Sequence, residues 1–132
     1  MVVALVALVA LDAAFIGMNR SMYDEAARAV QGHRIALDAR GALLAYVCIY
    51  ALIVIFALPE VRARVRASTA LVDRLAICAR YAGLLGLLTY GIYDFTTKAV
   101  LTKYPWRAAF VDTAWGGVLF TLVALLTTYV AS

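Results

Sequence analysis

Three aspartates stand where a membrane-spanning chain has least reason to carry charge. Asp12, Asp94 and Asp112 lie within or at the edge of long apolar runs. A carboxylate at such depth is costly unless it is paired, protonated or wetted, so each marks a functional site by default. The chemistry open to them is that of a proton relay, an ion site, or the acid and base of a membrane enzyme. Helical spacing adds polar neighbours. Tyr90, Thr97 and Lys98 share a face with Asp94 at i−4, i+3 and i+4, Tyr93 precedes it, and Trp115 and Gly116 stand one turn from Asp112. The candidate intramembrane polar cluster is therefore Asp12, Asp94, Asp112, Tyr93, Thr97, Lys98 and Trp115. A purely structural network competes with this reading. In it Asp94 pairs with Lys98, Asp112 sits near the helix start and bonds to Arg107, and Asp12 fixes the bundle's register.

Other chemistry is not signalled. There is no HExxH, no GxSxG and no nucleophile with an evident base, so no catalytic residue, metal site or cofactor is assigned. His33, beside Arg34, reads as a solvated loop residue. Cys48 and Cys78 lack CxxC or zinc spacing and read as small buried hydrophobes.

The elements that must position the aspartates follow from composition. The 132 residues are 66% hydrophobic and 15% charged, with a mean hydropathy of +0.91. A soluble domain is usually about 45–50% apolar and about 25% charged. The excess comes in long runs, the signature of a chain that spans the bilayer. The net charge of +4 and pI near 9.3 come from basic residues between those runs, where Lys and Arg meet headgroups. No aromatic-plus-basic surface motif accompanies them, so nucleic acid is not an expected partner.

The spacing predicts an all-α, four-transmembrane-helix bundle in one domain, 1–132. Spans are expected at about 2–18, 41–58, 75–93 and 108–130. The first run has no basic stretch before it and reads as a retained helix rather than a signal peptide. A short interfacial helix is expected at 22–31, between spans one and two. Ser21 and Asp24 read as its capping box, Gly32 as its stop, and Met22, Ala26, Ala29 and Val30 as its apolar face. Pro59 is expected to end the second span. Small residues on the first and third spans (Ala13, Gly17, Ala79, Gly83, Gly86, Gly91) suggest close helix packing, within the bundle or between protomers. Four crossings put Asp12, Asp94 and Asp112 in one leaflet, with Asp12 ~9 Å below the surface at 1.5 Å per residue. Asn19, His33, Tyr104 and Trp106 belong to the same side. The opposite side carries Arg62, Arg64 and Arg66, candidate contacts for headgroups or a partner. The density of arginine in that short loop leans toward its facing the cytoplasm.

These residues resemble a family. The acid–x–x–aromatic of the first span is Asp12 and Phe15, Tyr23 begins the loop helix, and Phe56-Ala57-Leu58-Pro59 closes the second span. Tyr93-Asp94-Phe95-Thr96-Thr97 ends the third, Tyr104-Pro105-Trp106 forms a turn, and Asp112 to Gly116 spells Asp–x–x–Trp–Gly. Over nearly its whole length the chain is similar to a domain-of-unknown-function family of small, predicted four-span membrane proteins, bacterial with relatives in large algal DNA viruses. It departs from the pattern at Phe15, where the family prefers tryptophan, and at Thr97, where it prefers asparagine. The family carries no activity to transfer.

The functional expectation is thus a multi-pass integral membrane protein with a structural or assembly role. The viral relatives imply the internal membrane of a large virus particle, with capsid or other membrane proteins as partners; a bacterial chain would sit in the inner membrane. Homo-oligomerisation is also expected. Two alternatives are a small ion, proton or solute transporter using the aspartates and, least favoured, a lipid-modifying enzyme.

Overall fold

In lipid a backbone amide finds no partner outside its own segment, so long apolar runs become helices. The computed structural model describes residues 1–67 and 69–131 and is all-helical, with no strand among them. In chain order the helices are α1 (Val2–Met18), α2 (Arg20–Gln31), α3 (Ala39–Arg64), α4 (Leu71–Val100) and α5 (Trp106–Val130). Three of them, α3, α4 and α5, are long and apolar enough to cross a membrane. The 17-residue α1 joins α2 through a 74° bend, and the pair makes a fourth candidate. Their outward faces are apolar: Val6, Leu43, Leu44, Val47, Leu88, Ile92 and Val118 are all exposed. A surface of this kind fits acyl chains, not water.

α5 is the central element. α4 packs along it most extensively and α1 next. The α4–α5 seam is glycine-lined, with Gly83 and Gly86 opposite Gly117 and Gly116. The main core lies at the end of the bundle that holds the chain termini. Ala4 and Leu8 of α1, Ile53, Leu58 and Val61 of α3, Cys78 of α4 and Leu119, Phe120 and Val123 of α5 close it. There Arg74 is buried at the start of α4, where it donates to the carbonyls of Thr128 (3.0 Å) and Arg66 (3.2 Å). A smaller core under α2 joins Met22 and Ala26 to Ala108 of α5.

Four local expectations are corrected. Pro59 does not end α3, which runs on to Arg64. A π turn over Ile53–Ala57 precedes it, with the Leu58 N–H bonded five residues back to Ile53. This wide turn relieves the clash between the proline ring and the preceding carbonyls, so the helix survives a residue that lacks an N–H. Nor does the Ser21–Asp24 capping box form. α1 leads almost directly into α2, Asn19 is the N-cap, and its side-chain amide donates back to Phe15 (3.0 Å). Asp24 instead pairs with Arg20 at 3.7 Å and accepts from the Ile35 amide at 3.3 Å. On the apolar face of α2, Met22 and Ala26 are buried but Val30 is exposed, because α5 lies under only the first half of α2. Cys78 is buried as expected, whereas Cys48 lies on the outer face of α3. Gly32 stops α2 in the left-handed conformation (φ 83°), as its position suggested.

Asp38 caps α3, accepting from the amides of Arg40 (2.9 Å) and Gly41 (3.4 Å). Those two bonds hold its carboxyl below the usual carboxylate range. A lowered folded-state pKa means the cap stabilises fully above the unfolded pKa and fails as pH falls through the folded one. Asp38→Ala should therefore speed hydrogen exchange of the Arg40 and Gly41 amides at neutral pH. The difference from wild type should vanish in acid.

Candidate functional site

Each of the three aspartates meets donors from other parts of the chain. Asp12, on α1, accepts from the Tyr46 hydroxyl of α3 (2.6 Å) and from the Trp115 indole of α5 (2.9 Å). Asp112, on α5, accepts from the Tyr23 hydroxyl of α2 (2.6 Å). Asp94, on α4, accepts from the Tyr104 hydroxyl (3.1 Å) and the Thr113 hydroxyl (3.3 Å). Asp12 and Asp94 are buried and Asp112 is half-buried. Asp94 and Asp112 face each other across the α4–α5 seam, close enough to interact directly. Tyr23 and Tyr90 lie within electrostatic range of all three carboxylates, so the cluster is one region and not three separate sites.

The fold explains each placement. The glycine seam brings α4 against α5, which sets Asp94 beside Thr113 and Asp112. The bend at Asn19 turns α2 back over α5 and delivers Tyr23 to Asp112. Phe15 lies flat on Trp115, with ring centroids 4.1 Å apart and planes 2° from parallel, and this stack aims the indole N–H at Asp12. The aromatic three residues after Asp12 thus has a mechanical role. Tyr104 follows the end of α4. Burial first, and then the charge of Asp94, pushes its hydroxyl pKa up, which keeps it a proton donor to that carboxylate.

Of the sequence candidates, the structure brings together Asp12, Asp94, Asp112 and Trp115. Tyr93 is largely exposed on α4 and lines clefts on both sides of Tyr23, and Thr97 lines one of them, of about 260 Å³, with Tyr104 and Asp112. The Thr97 hydroxyl donates to the Tyr93 carbonyl (2.7 Å) rather than to a carboxylate. Lys98 points away: its ammonium donates to the Thr102 carbonyl (2.7 Å) and lies 5.3 Å from the Trp106 ring centre. Arg107 forms no ion pair with Asp112 among the described residues. His33 is exposed, 2.8 Å from the Arg34 carbonyl. At the other end Arg64 pairs with Glu60 at 2.7 Å and covers the Tyr81 ring, while Arg62 and Arg66 flank a cleft beside Thr128.

Sequence reasoning had no role for Tyr46 or Thr113 and used Tyr23 only to mark where a helix begins. Its one available signal was that the phenols of Tyr23, Tyr46, Tyr90, Tyr93 and Tyr104 all fall on the aspartate side once the crossings are drawn.

Among the described residues no three His, Cys, Asp or Glu side chains close on a point that would hold a metal ion. The donors facing the carboxylates are neutral hydroxyls and an indole. Removing one should be felt. Trp115→Phe keeps the stack on Phe15 but takes a donor from buried Asp12, at a cost of about 1–3 kcal/mol. Thermal unfolding in detergent should show the variant melting below wild type.

Compared with protein-family models, residues 1–129 match one described as "Predicted membrane protein (DUF2177)". No curated protein and no solved structure matches the chain.

Proposed function

The chain belongs to the DUF2177 family of predicted membrane proteins, and from its aspartate cluster we propose that it is a four-span membrane transporter that moves protons through Asp12, Asp94 and Asp112. In this reading α1, α3, α4 and α5 cross the bilayer and α2 lies at its surface, over the site.

One observation carries the proposal. Among the described residues, no lysine or arginine lies within ion-pair distance of any of the three carboxylates. Ionised carboxylates in a low-dielectric region without a cation cost several kcal/mol each. The region therefore favours taking up positive charge, which a proton supplies at any one of the three carboxylates. Tyr23 and Tyr104 supply hydroxyls through which a proton can pass between the carboxylates and the α2 surface.

The test is flux. Vesicles containing the purified chain and a pH-sensitive dye, energised by a potassium diffusion potential, should acidify or alkalinise with the sign of the potential. Absence of flux from the wild type would sink the reading. A second reading, assembly, is favoured by the full hydrogen bonding of the cluster, since no buried side-chain polar atom lacks a partner among the described residues. There the network would only lock the bundle, while Arg62 and Arg66 meet a partner protein or headgroups.

A further inference from the structure

The geometry points to a cargo for the same site: a lipophilic organic monocation, seated in the groove between α1 and α3 with its charge against Asp12. Its role as cargo rests on the proton-transport reading; the groove itself does not.

The groove has a volume of about 790 Å³ and is bounded by α1, α2, α3 and Tyr93. Pockets that hold drug-sized ligands run to about 300–1,000 Å³. It exists because α1 and α3 diverge. No residue of Ala39–Leu52, the first fourteen residues of α3, is buried. Sequence spacing suggested that Ala13 and Gly17 serve helix packing. Within the chain they do not: both are exposed, and a side chain added at Gly17 would meet nothing within 4 Å. Ala13 and Gly17 on one wall and Ala42 and Ala45 on the other are small, and their smallness leaves room rather than contact.

The chemistry of the lining selects the ligand. Most of the wall is apolar, with Ile16, Ile35, Leu37 and Ile49 among its residues. The charged residues are Asp12, Asp24 and Arg20, two negative against one positive, which leaves one negative charge. Arg20 is held by Asp24 at 3.7 Å, so the uncompensated charge is that of Asp12. Asp12 binds only the neutral donors of Tyr46 and Trp115. Tyr23, Tyr46 and Tyr93 line the same groove, and aromatic rings attract a weakly hydrated cation. An apolar body with a single delocalised positive charge satisfies every part of this lining. An anion meets Asp12 unfavourably, and a small hydrated metal ion leaves the apolar walls empty.

Equilibrium dialysis of the detergent-purified chain against tetraphenylphosphonium tests the inference, with tetraphenylborate as a control of the same shape and opposite charge. Saturable binding of the cation alone is expected. Asp12→Asn removes the charge while its oxygen still accepts from the Trp115 indole and its amide N–H donates to the Tyr46 hydroxyl oxygen instead of accepting from it; it should weaken binding about tenfold or more. Ala45→Trp fills the groove from an exposed helix position that the fold does not depend on, and should abolish binding. Unchanged affinity in both variants overturns the inference, as does no saturable binding to the wild type. Equal binding of the anion also overturns it, and makes the groove a seat for an acyl chain. The two readings fail separately. Proton flux without phosphonium binding removes the cargo alone, and phosphonium binding without flux removes the transport reading alone.

Discussion

Asp94→Asn and Asp112→Asn should each cut proton flux in energised vesicles by about a hundredfold or more, the usual scale for losing a group that carries the proton. The amide keeps the shape of the side chain and accepts from Tyr104 or Tyr23 through its oxygen. It cannot take up and release a proton at ordinary pH. The loss therefore separates proton transfer from packing, which a change to alanine would not. Lys98→Ala is the internal control. Its ammonium is committed to the Thr102 carbonyl and the Trp106 ring, so flux should stay near wild type. Full flux in both aspartate variants would leave the network as a structural lock. Loss of flux in Lys98→Ala would mean that the lysine exchanges charge with Asp94 in a second conformation.

The largest stability effect is expected at the α4–α5 seam. A β-carbon on Gly86 would run into the Gly116 carbonyl oxygen and lie 2.8 Å from Cβ of Phe120. One on Gly116 would lie 2.6 Å from the Gly86 carbonyl oxygen. The obstacle in each case includes backbone of the facing helix, which cannot rotate away, so the helices must part. Gly86→Ala should cost about 3 kcal/mol, the upper part of the usual range for overpacking. The gain in helix propensity, about 1 kcal/mol, does not offset it. Gly117→Ala is the matched control, because its added carbon would meet nothing closer than 3.4 Å. That variant should be as stable as wild type or more so, by up to about 1 kcal/mol of helix propensity. Unfolding in a denaturing detergent series would check the pair. Because the seam also sets Asp94 beside Thr113 and Asp112, Gly86→Ala should lose flux along with stability.

Some of this was legible in the residues alone. Apolar runs long enough to cross lipid announce helices, since no other backbone satisfies itself there. Gly32 announced a helix end, and its positive φ is the reason glycine suits that position. Counting crossings brings the three aspartates toward one end of the helices, and in the structure they lie in one region. Pro59 misled, because its effect depends on the turn before it, and a π turn leaves no periodic mark in sequence. The capping-box spacing of Ser21 and Asp24 misled as well, since α2 begins at Arg20 with Asn19 as its N-cap. Met18 and Arg20 belong to different helices, and nothing in their side chains states a 74° bend between them.

An all-helical membrane chain carrying three carboxylates within or beside its apolar runs is thus legible in the residues alone. Those properties belong to single segments: hydropathy and helical period act over one or a few turns. Which donors the carboxylates meet depends on how the helices come together. Tyr46 is 34 residues from Asp12, Tyr23 is 89 from Asp112 and Trp115 is 103 from Asp12. Spacing assigns a residue to a face of its own helix but not to a partner on another. The meeting of faces is set by the crossings, here a glycine seam, a bend and an aromatic stack. The same limit hid the groove: Ala13 and Gly17 look alike in sequence whether a helix packs against them or a ligand does.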